Sequence, residues 1–302
     1  MTTLAYPAPL LSNGFTITND PARMGRLTPS NPHAPINELR DQFAAQGYLW
    51  LKGILDRNAV LAFRKRFFAA YQVAGLLKPD TDPVDGIYSG AIEDHAQIAK
   101  ITHEVVRWAA YESFCLQQPI YEFYAALFGG EPYLHKRKLV RYVKPHDANS
   151  TGAHYDLTYL RAGTDKVATS WIPIGDIPVK MGGLVYLEGS DTWGRRMEAE
   201  FRAQNDGMSR EEQISAYNKN MSSSGWLTKD LPELANRLDS RWLVADYEAG
   251  DMVVHSAYMI HAATTNEAED GTMRLSTDIR FQRVRDEVDV RWNNHWSMDD
   301  ML

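Results

Sequence analysis

Cysteine is nearly absent from this sequence, since Cys115 is the single one among 302 residues. Disulfide frameworks need pairs of cysteines, and thiolate-ligated zinc or iron–sulfur centres need several. Basic blocks are missing too, because 32 Lys and Arg stand against 39 Asp and Glu, which gives a formal charge of −7. No run of cations is long enough to neutralise a row of phosphates, so a nucleic-acid partner is not expected.

Long apolar stretches are also lacking. No run approaches the roughly 20 residues that a membrane-spanning helix requires, and the N-terminus shows no basic segment followed by an apolar one. We therefore expect a cytoplasmic protein without a membrane partner, built as a single domain over residues 1–302. A homodimer is an open alternative to a monomer.

The apolar pattern changes its period along the chain. Residues 1–34 contain five prolines and no sustained pattern, which indicates an irregular arm. Helical spacing follows as far as residue 130, and residues 131–285 then alternate in the manner typical of strands. A polar helical insertion over residues 193–240 interrupts the strands, and residues 286–302 form a tail. The sequence predicts a mainly β fold with flanking helices.

Local signals set several boundaries. Gly47 is expected to end a first helix, and Asp56 to cap a second one. Ser209 and Glu212 have the spacing of a capping box inside the insertion. Residues 76–100 are rich in Asp, Pro and Gly and predict a long loop.

A histidine and a carboxylate stand two residues apart in His154-Tyr155-Asp156. On a strand or at its end, that spacing points both side chains to one face. His261 follows much later in the chain, just after a predicted strand, and is the candidate third ligand. Two histidines and one carboxylate form the facial triad that binds Fe(II) and leaves positions open for a cosubstrate and O₂. His255, on the strand just before His261, is the rival ligand.

An arginine follows on the next predicted strand. This residue, Arg274, carries a guanidinium that can bind a carboxylate through two parallel hydrogen bonds. Ser276 shares its face of the strand and can add a hydroxyl. A 2-oxo acid that chelates iron through its keto and carboxylate oxygens needs such a cation for its remaining carboxylate. Alone, Arg274 is as consistent with a surface arginine, but together with the three candidate metal ligands it is a candidate functional residue.

Together these segments resemble the phytanoyl-CoA dioxygenase-like branch of the Fe(II)/2-oxoglutarate-dependent dioxygenases, over about residues 36–285. The similar segments are LRDQFAAQGYLWLKGIL from Leu39, VKP from Val143, GAHYD from Gly152, WIPIGD from Trp171, GGLVYLEGS from Gly182 and HAATTN from His261. The combination is specific, although each piece alone is not.

The resemblance implies a double-stranded β-helix, the jelly-roll core of cupin-like proteins, with helices on its outside. Iron would be bound by His154, Asp156 and His261, and Arg274 would bind the distal carboxylate of 2-oxoglutarate. The implied activity is the O₂-dependent oxidation of a small molecule, with hydroxylation as the default outcome and with release of succinate and CO₂.

Two departures from the family pattern leave alternatives open. The segment between His261 and Arg274 is longer than usual, so Arg280 is the second candidate for the 2-oxoglutarate anchor. Tyr142 stands where a small polar contact to 2-oxoglutarate is common, and its hydroxyl would serve there.

Strand parity adds further candidates. Lys138 and Tyr142 share one face of their strand, and Thr169 and Trp171 share one face of theirs. If the inward face of the family is kept, Tyr142 and Thr169 approach 2-oxoglutarate, while Lys138 and Trp171 face the primary substrate. A buried ammonium at Lys138 would favour an anionic substrate, and an exposed strand lysine is the alternative.

We expect the substrate to be a small natural-product intermediate or an amino-acid-like compound. The insertion and the loop over residues 78–89 are the candidate substrate lid. The rival interpretations are a non-catalytic ligand-binding protein and a zinc hydrolase on the same fold. A hydrolase leaves Arg274 unexplained, and the complete ligand set argues against a degenerate binding protein.

Overall fold

The computed structural model describes residues 6–222 and 225–297, in which two main sheets are flanked by helices. The strands are β1 (Leu10–Ser12), β2 (Phe15–Ile17), β3 (Met24–Arg26), β4 (Tyr48–Leu51), β5 (Pro132–Leu134), β6 (Leu139–Val143), β7 (Ala168–Pro173), β8 (Leu184–Leu187), β9 (Trp242–Val244), β10 (Met252–Ser256), β11 (His261–Ala263) and β12 (Arg274–Arg283). The helices are α1 (Ile36–Gln46), α2 (Arg57–Tyr71), α3 (His95–Val105), α4 (Ala109–Cys115), α5 (Gln118–Phe128), α6 (Leu157–Leu160), α7 (Ser190–Gln204), α8 (Arg210–Ser222) and α9 (Leu231–Arg237).

The first sheet has six strands in the order β4-β10-β7-β12-β5, with β6 also paired to β12. Its pairings are antiparallel, and the long strand β12 gives the sheet two different faces. Leu275, Ile279 and Phe281 of β12 are buried in the core beneath the helices. Because successive side chains of a strand alternate, Arg274 and Arg280 lie on the opposite face.

The second sheet has four strands in the order β11-β8-β9-β3. A core cluster joins the two sheets, with Trp171 and Val253 from the first and Tyr186 and Leu243 from the second. The inner faces of the two sheets therefore pack against each other, and the cationic face of β12 is turned toward the interior between them.

The helical flank covers the outer face of the first sheet. Helix α1 ends at Gly47, whose φ of 76° is the left-handed conformation that glycine adopts without a steric penalty. Helix α2 begins at Asp56, which accepts a hydrogen bond from the Asn58 N–H. Both boundaries confirm the predictions. None of the helices in the described part of the chain combines the length and apolar character needed to cross a bilayer.

The insertion is helical, as predicted, and consists of α7, α8 and α9 with their connections. Ser209 and Glu212 form the capping box at the start of α8. The Ser209 N–H donates to Glu212 over 2.8 Å, and the Glu212 N–H donates back to Ser209 Oγ over 3.3 Å.

Two predictions about irregular segments need correction. The arm over residues 1–34 contains the β1–β2 hairpin, and its strand β3 pairs in parallel with β9 of the second sheet. Ser12 also donates to the Ala263 carbonyl over 2.9 Å. Strand β9 and Ala263 lie more than 200 residues further along the chain, so the sequence of the arm gives no local sign of these two contacts. In the predicted loop over residues 76–100, α3 already begins at His95, where Asp94 caps it.

Candidate metal centre

The three predicted ligands lie together. His154, Asp156 and His261 are buried, and each offers a ligand atom within 4.8 Å of the others. The backbone brings the histidines together, because the His154 N–H donates to the His261 carbonyl over 3.0 Å and the reverse bond measures 2.9 Å. Their ring centroids are 4.3 Å apart. Two segments that are distant in the sequence thus form one site.

Backbone carbonyls orient both imidazoles. Nδ1 of His154 lies 2.9 Å from the Gly152 carbonyl oxygen, and Nδ1 of His261 lies 2.9 Å from that of Met259. A carbonyl only accepts, so each Nδ1 carries the proton and each Nε2 keeps its lone pair for a metal. Burial lowers the pKa of His154, and burial together with the neighbouring imidazoles lowers the pKa of His261 well below its ordinary value. Both rings are therefore neutral, which is the metal-binding form.

Three strands surround the carboxylate of Asp156. Thr169 of β7 donates its hydroxyl to Oδ2, Arg280 of β12 donates from Nη2 to Oδ1 over 3.1 Å, and Nε2 of His255 in β10 lies 3.5 Å from Oδ2. Burial alone would raise the pKa of Asp156, but the Arg280 guanidinium and the His255 and His261 rings hold it well below its ordinary value. Asp156 is therefore an ionised carboxylate in a fixed orientation, suited to bind a metal.

His255, the rival ligand, lies beside Asp156 and not on the cavity wall, judged over the residues that the structure describes. Its Nδ1 is 3.2 Å from the Tyr186 hydroxyl, and its ring is 4.4 Å from that of His261. This placement suits a residue that orients Asp156.

A cavity of about 600 Å³ opens over the three ligands. Residues of β12 and β7 that point between the two sheets line one side of the cavity, and several aromatic rings lie on its wall. The aromatic residues on the wall are Tyr159, Trp171, Trp226, Trp292 and Trp296. Trp226 belongs to the insertion, which therefore reaches the cavity. The loop over residues 78–89, the other predicted lid segment, contributes no wall residue among those described.

Arg274 lies on the cavity wall with a donor that the protein does not use. Its Nη1 donates to the Gly182 carbonyl, whereas its buried Nε has no hydrogen-bond partner within the described ranges. Burial lowers the pKa of Arg274 to about 10, so the guanidinium is still charged at neutral pH. A buried donor without a partner is costly, and a bound carboxylate would satisfy it. The residue fits the predicted anchor for 2-oxoglutarate.

Arg280 has a different place from Arg274. Its Nη2 binds Asp156, and that carboxylate raises the pKa of Arg280 against the opposing effect of burial. Both arginines line the cavity, and each has a buried Nε without a partner within the described ranges, but Arg280 is engaged with the Asp156 carboxylate, whereas Arg274 donates only to a backbone carbonyl. Ser276, between them on the same face, also lies on the wall.

Tyr142 requires correction, whereas Lys138 lies on the cavity wall, and its predicted contact with substrate stays a prediction. Tyr142 pairs with Leu275, so it lies on the helix-facing side of β6, and its ring packs 5.6 Å from that of Tyr71. Its predicted contact with 2-oxoglutarate does not fit this position. Lys138 is buried, but its Nζ lies 2.8 Å from a carboxylate oxygen of Glu112, so its charge is already paired. The segment that contains Lys138 and Tyr142 was expected to be one strand, but the chain breaks between β5 and β6. The sequence therefore does not determine which residues of this segment face inward.

Thr169 and Trp171 share a face, as predicted, and that face is turned inward. The Thr169 hydroxyl donates to Asp156 and so orients that carboxylate; its predicted contact with 2-oxoglutarate stays a prediction. Trp171 lies on the cavity wall with its ring 4.7 Å from that of Tyr247. Its contact with substrate stays a prediction.

Three charged residues of the cavity wall, Arg137, Arg141 and Asp278, escaped the sequence analysis. Arg141 of β6 lies opposite Ser276, and Asp278 shares the face of Arg274. Counting in steps of two from Arg274 could have found Asp278, whereas Arg141 follows only from the strand register that places it opposite Ser276.

Comparisons with known proteins agree with this geometry. A family model described as phytanoyl-CoA dioxygenase (PhyH) matches residues 43–274. Two relatives named 1-deoxypentalenic acid 11-beta-hydroxylase, from Streptomyces arenae and Streptomyces exfoliatus, are each 24% identical over 253 residues, which is 81% of either chain.

Solved structures show the same fold. The non-heme alpha-ketoglutarate-dependent carbocyclase SnoK from nogalamycin biosynthesis matches with a TM-score of 0.54 at 17% identity, over 87% of this chain and 89% of that one. EctD from S. alaskensis with bound Fe matches with a TM-score of 0.54 at 14% identity, over 89% and 83%. Since the family model covers most of the sequence, the chain belongs to the phytanoyl-CoA dioxygenase family.

Proposed function

We propose that this protein is an Fe(II)- and 2-oxoglutarate-dependent oxygenase that oxidises a small organic molecule, with hydroxylation as the default outcome. The observation that carries the proposal is the buried cluster of His154, Asp156 and His261, whose ligand atoms lie within 4.8 Å of one another. Two neutral imidazole nitrogens and one carboxylate are the donor set of the facial triad for Fe(II). We interpret the two packed sheets around it as a double-stranded β-helix.

Each residue of the site has a separate task in this proposal. His154, Asp156 and His261 hold the metal, with Thr169 and Arg280 fixing the carboxylate of Asp156. Arg274 binds the distal carboxylate of 2-oxoglutarate, and the Ser276 hydroxyl lies beside it. Bound iron and 2-oxoglutarate supply the activation of O₂, with release of succinate and CO₂. The protein positions the reactants and excludes water.

We further propose that the substrate is a natural-product intermediate. The curated relatives are named for hydroxylation of 1-deoxypentalenic acid, and SnoK for its part in nogalamycin biosynthesis. A cavity of about 600 Å³ is within the usual range for small-molecule sites. We also propose that residues 1–302 act as one domain, because β3 of the arm pairs with β9. A cytoplasmic location and the choice between monomer and homodimer stay predictions.

The proposal accounts for more of the site than its rivals do. A zinc hydrolase or a plain binding protein would use the triad or the cavity, but neither calls for a buried arginine near the metal ligands that forms no ion pair with the residues that the structure describes. Arg274 therefore favours a metal-bound cosubstrate that carries a second carboxylate.

The test is an anaerobic titration of the metal-free protein with Fe(II) and 2-oxoglutarate, recorded as a visible metal-to-ligand charge-transfer band. We expect the band in the wild type, no band in His261→Ala, and a band in Arg274→Ala only at much higher 2-oxoglutarate. His33→Ala and Arg285→Ala, which alter residues of the same types outside the cavity, are the matched controls and should behave as the wild type. A folded wild type that binds Fe(II) and gives no band would refute the oxygenase proposal.

A further inference from the structure

We infer, on the basis of the proposed function, that Arg141 binds a carboxylate of the primary substrate, and that this substrate is an apolar molecule bearing one such anion. Arg141 lies on β6 directly opposite Ser276 of β12, so its side chain is on the cavity face of the sheet. It borders the cavity above the metal ligands and also a neighbouring cavity of about 330 Å³. Arg141 thus lies at the junction of the two, where a substrate would pass.

Arg141 differs from two other cations of the wall in having no counter-charge among the described residues. Lys138 is paired with Glu112 over 2.8 Å, and Arg280 with Asp156 over 3.1 Å. The side chain of Arg141 forms neither an ion pair nor a hydrogen bond with the residues that the structure describes. It is a charged group with all of its donors available to a ligand.

The formal charges of the loaded site leave Arg141 unbalanced. Fe(II) and the dianion of 2-oxoglutarate cancel, and Asp156 balances Arg280. Asp278 lies close enough to Arg274 for its charge to raise the pKa of that arginine, so these two offset each other. Arg141 is an exposed side chain beside the buried metal ligands, and a substrate carboxylate would neutralise its charge, which a neutral substrate would not.

The aromatic residues of the cavity wall indicate the chemistry of the rest of the substrate, the part that carries no charge. Trp226, Trp292 and Trp296 line the same cavity as Arg141, together with Tyr159 and Val106. These side chains gain free energy by burying apolar area, while polar and charged residues such as Arg137, Asp278 and Arg280 line other parts of the same cavity. Arg141 and Arg274 both border the two cavities; with Arg274 assigned to 2-oxoglutarate, Arg141 and the aromatic side chains match a compact, largely hydrocarbon molecule with a single acid group.

The test compares acids with their uncharged amides. The probes are cyclohexanecarboxylate, 1-adamantanecarboxylate and 1-naphthoate, each beside its carboxamide, added to the anaerobic Fe(II)–2-oxoglutarate complex and also to the metal-free protein. Binding is measured by quenching of tryptophan fluorescence, since three tryptophans other than Trp171 line the cavity. We expect at least one acid to bind more tightly than its amide, and Arg141→Gln to reduce that preference roughly 10- to 100-fold.

Controls separate the structural and the recognition roles. Arg285→Gln removes the same charge at an exposed position and should leave the preference unchanged, while Arg141→Lys should keep part of it. If no acid outcompetes its amide in the wild type, or if Arg141→Gln keeps the preference, the inference is wrong.

The source of the carboxylate is decided by a second readout. The charge-transfer band gives the 2-oxoglutarate dissociation constant, and we expect Arg141→Gln to leave it within a factor of about three of the wild type. A large loss of 2-oxoglutarate affinity without loss of the acid preference would assign Arg141 to the cosubstrate and overturn the inference. An acid preference that depends on Arg141 in a protein giving no band would instead refute the proposed function and leave the anion site standing.

Discussion

Removing the guanidinium of Arg280 should destabilise the metal-free protein far more than breaking an exposed ion pair. Nη2 of Arg280 lies 3.1 Å from Oδ1 of Asp156, and the two side chains are 9% and 3% exposed. Arg280→Met leaves the Asp156 carboxylate buried with most of its compensation gone. Loss of one partner of a buried pair costs about 3–5 kcal/mol, most of it the penalty for the charge left behind.

The matched control is Arg57→Met. Nη1 of Arg57 lies 2.6 Å from Oδ1 of Asp176, a shorter contact, but these side chains are 50% and 52% exposed. Solvent screens such a pair, and its loss costs about 0–1 kcal/mol. The two substitutions remove the same atoms, so their difference isolates the effect of burial.

The assay is thermal unfolding in the presence of a chelator, so that no metal compensates Asp156. With an unfolding entropy of about 2.1 cal/mol/K per residue, Arg280→Met should lower Tm by about 5–8 °C and Arg57→Met by less than about 2 °C. Arg280→Lys keeps the positive charge and should fall between them. Equal losses of Tm for Arg280→Met and Arg57→Met would show that Arg280 does not compensate a buried carboxylate.

Three further predictions concern residues outside the proposed metal site. Burial lowers the pKa of His135 to about 4 from 6.5, so its stabilising effect is complete above pH 6.5 and is lost as the pH falls toward 4. In urea titrations, His135→Gln should flatten this pH dependence by up to ~3 kcal/mol, and parallel curves would contradict it. Burial also raises the pKa of the Cys115 thiol, so a disulfide reagent should modify it only after unfolding, and rapid modification of the native protein would be inconsistent with its placement. In Gly194→Ala the new Cβ would lie 2.0 Å from the Tyr258 carbonyl oxygen, so we expect a loss of ~1–3 kcal/mol in chemical denaturation, absent from Gly130→Ala, where the nearest atom is 3.7 Å away.

The metal-ligand candidates were accessible from sequence because their chemistry is local. His154 and Asp156 are two residues apart, and the third candidate follows a strand with a clear apolar pattern. The groups around Asp156 were not accessible in the same way. Thr169, His255 and Arg280 come from three strands, and only the order β10-β7-β12 places them beside one carboxylate. A single sequence carries no direct record of that order.

The error at Tyr142 has a related cause. Alternation along a strand predicts which residues share a face, but it does not tell which face is inward when both contain polar and apolar residues. The chain turns between β5 and β6, where the Lys138 N–H donates to the Lys136 carbonyl over 3.1 Å. Alternation along a single strand therefore does not hold across this turn. The side of the sheet that Tyr142 occupies follows only from its pairing with Leu275.

The two faces of β12 also bear on how an enzyme of this kind can diverge. Leu275, Ile279 and Phe281 belong to the core shared with the helices, and Arg274 and Asp278 belong to the cavity. A substitution at a cavity position therefore changes what is bound without opening a void in the core. Inserting or deleting one residue inside β12 would instead move the core side chains to the cavity face and the cavity side chains to the core face. New specificities on this scaffold are thus open to point substitution, while changes of length are confined to the segment before Arg274 and to the helical insertion.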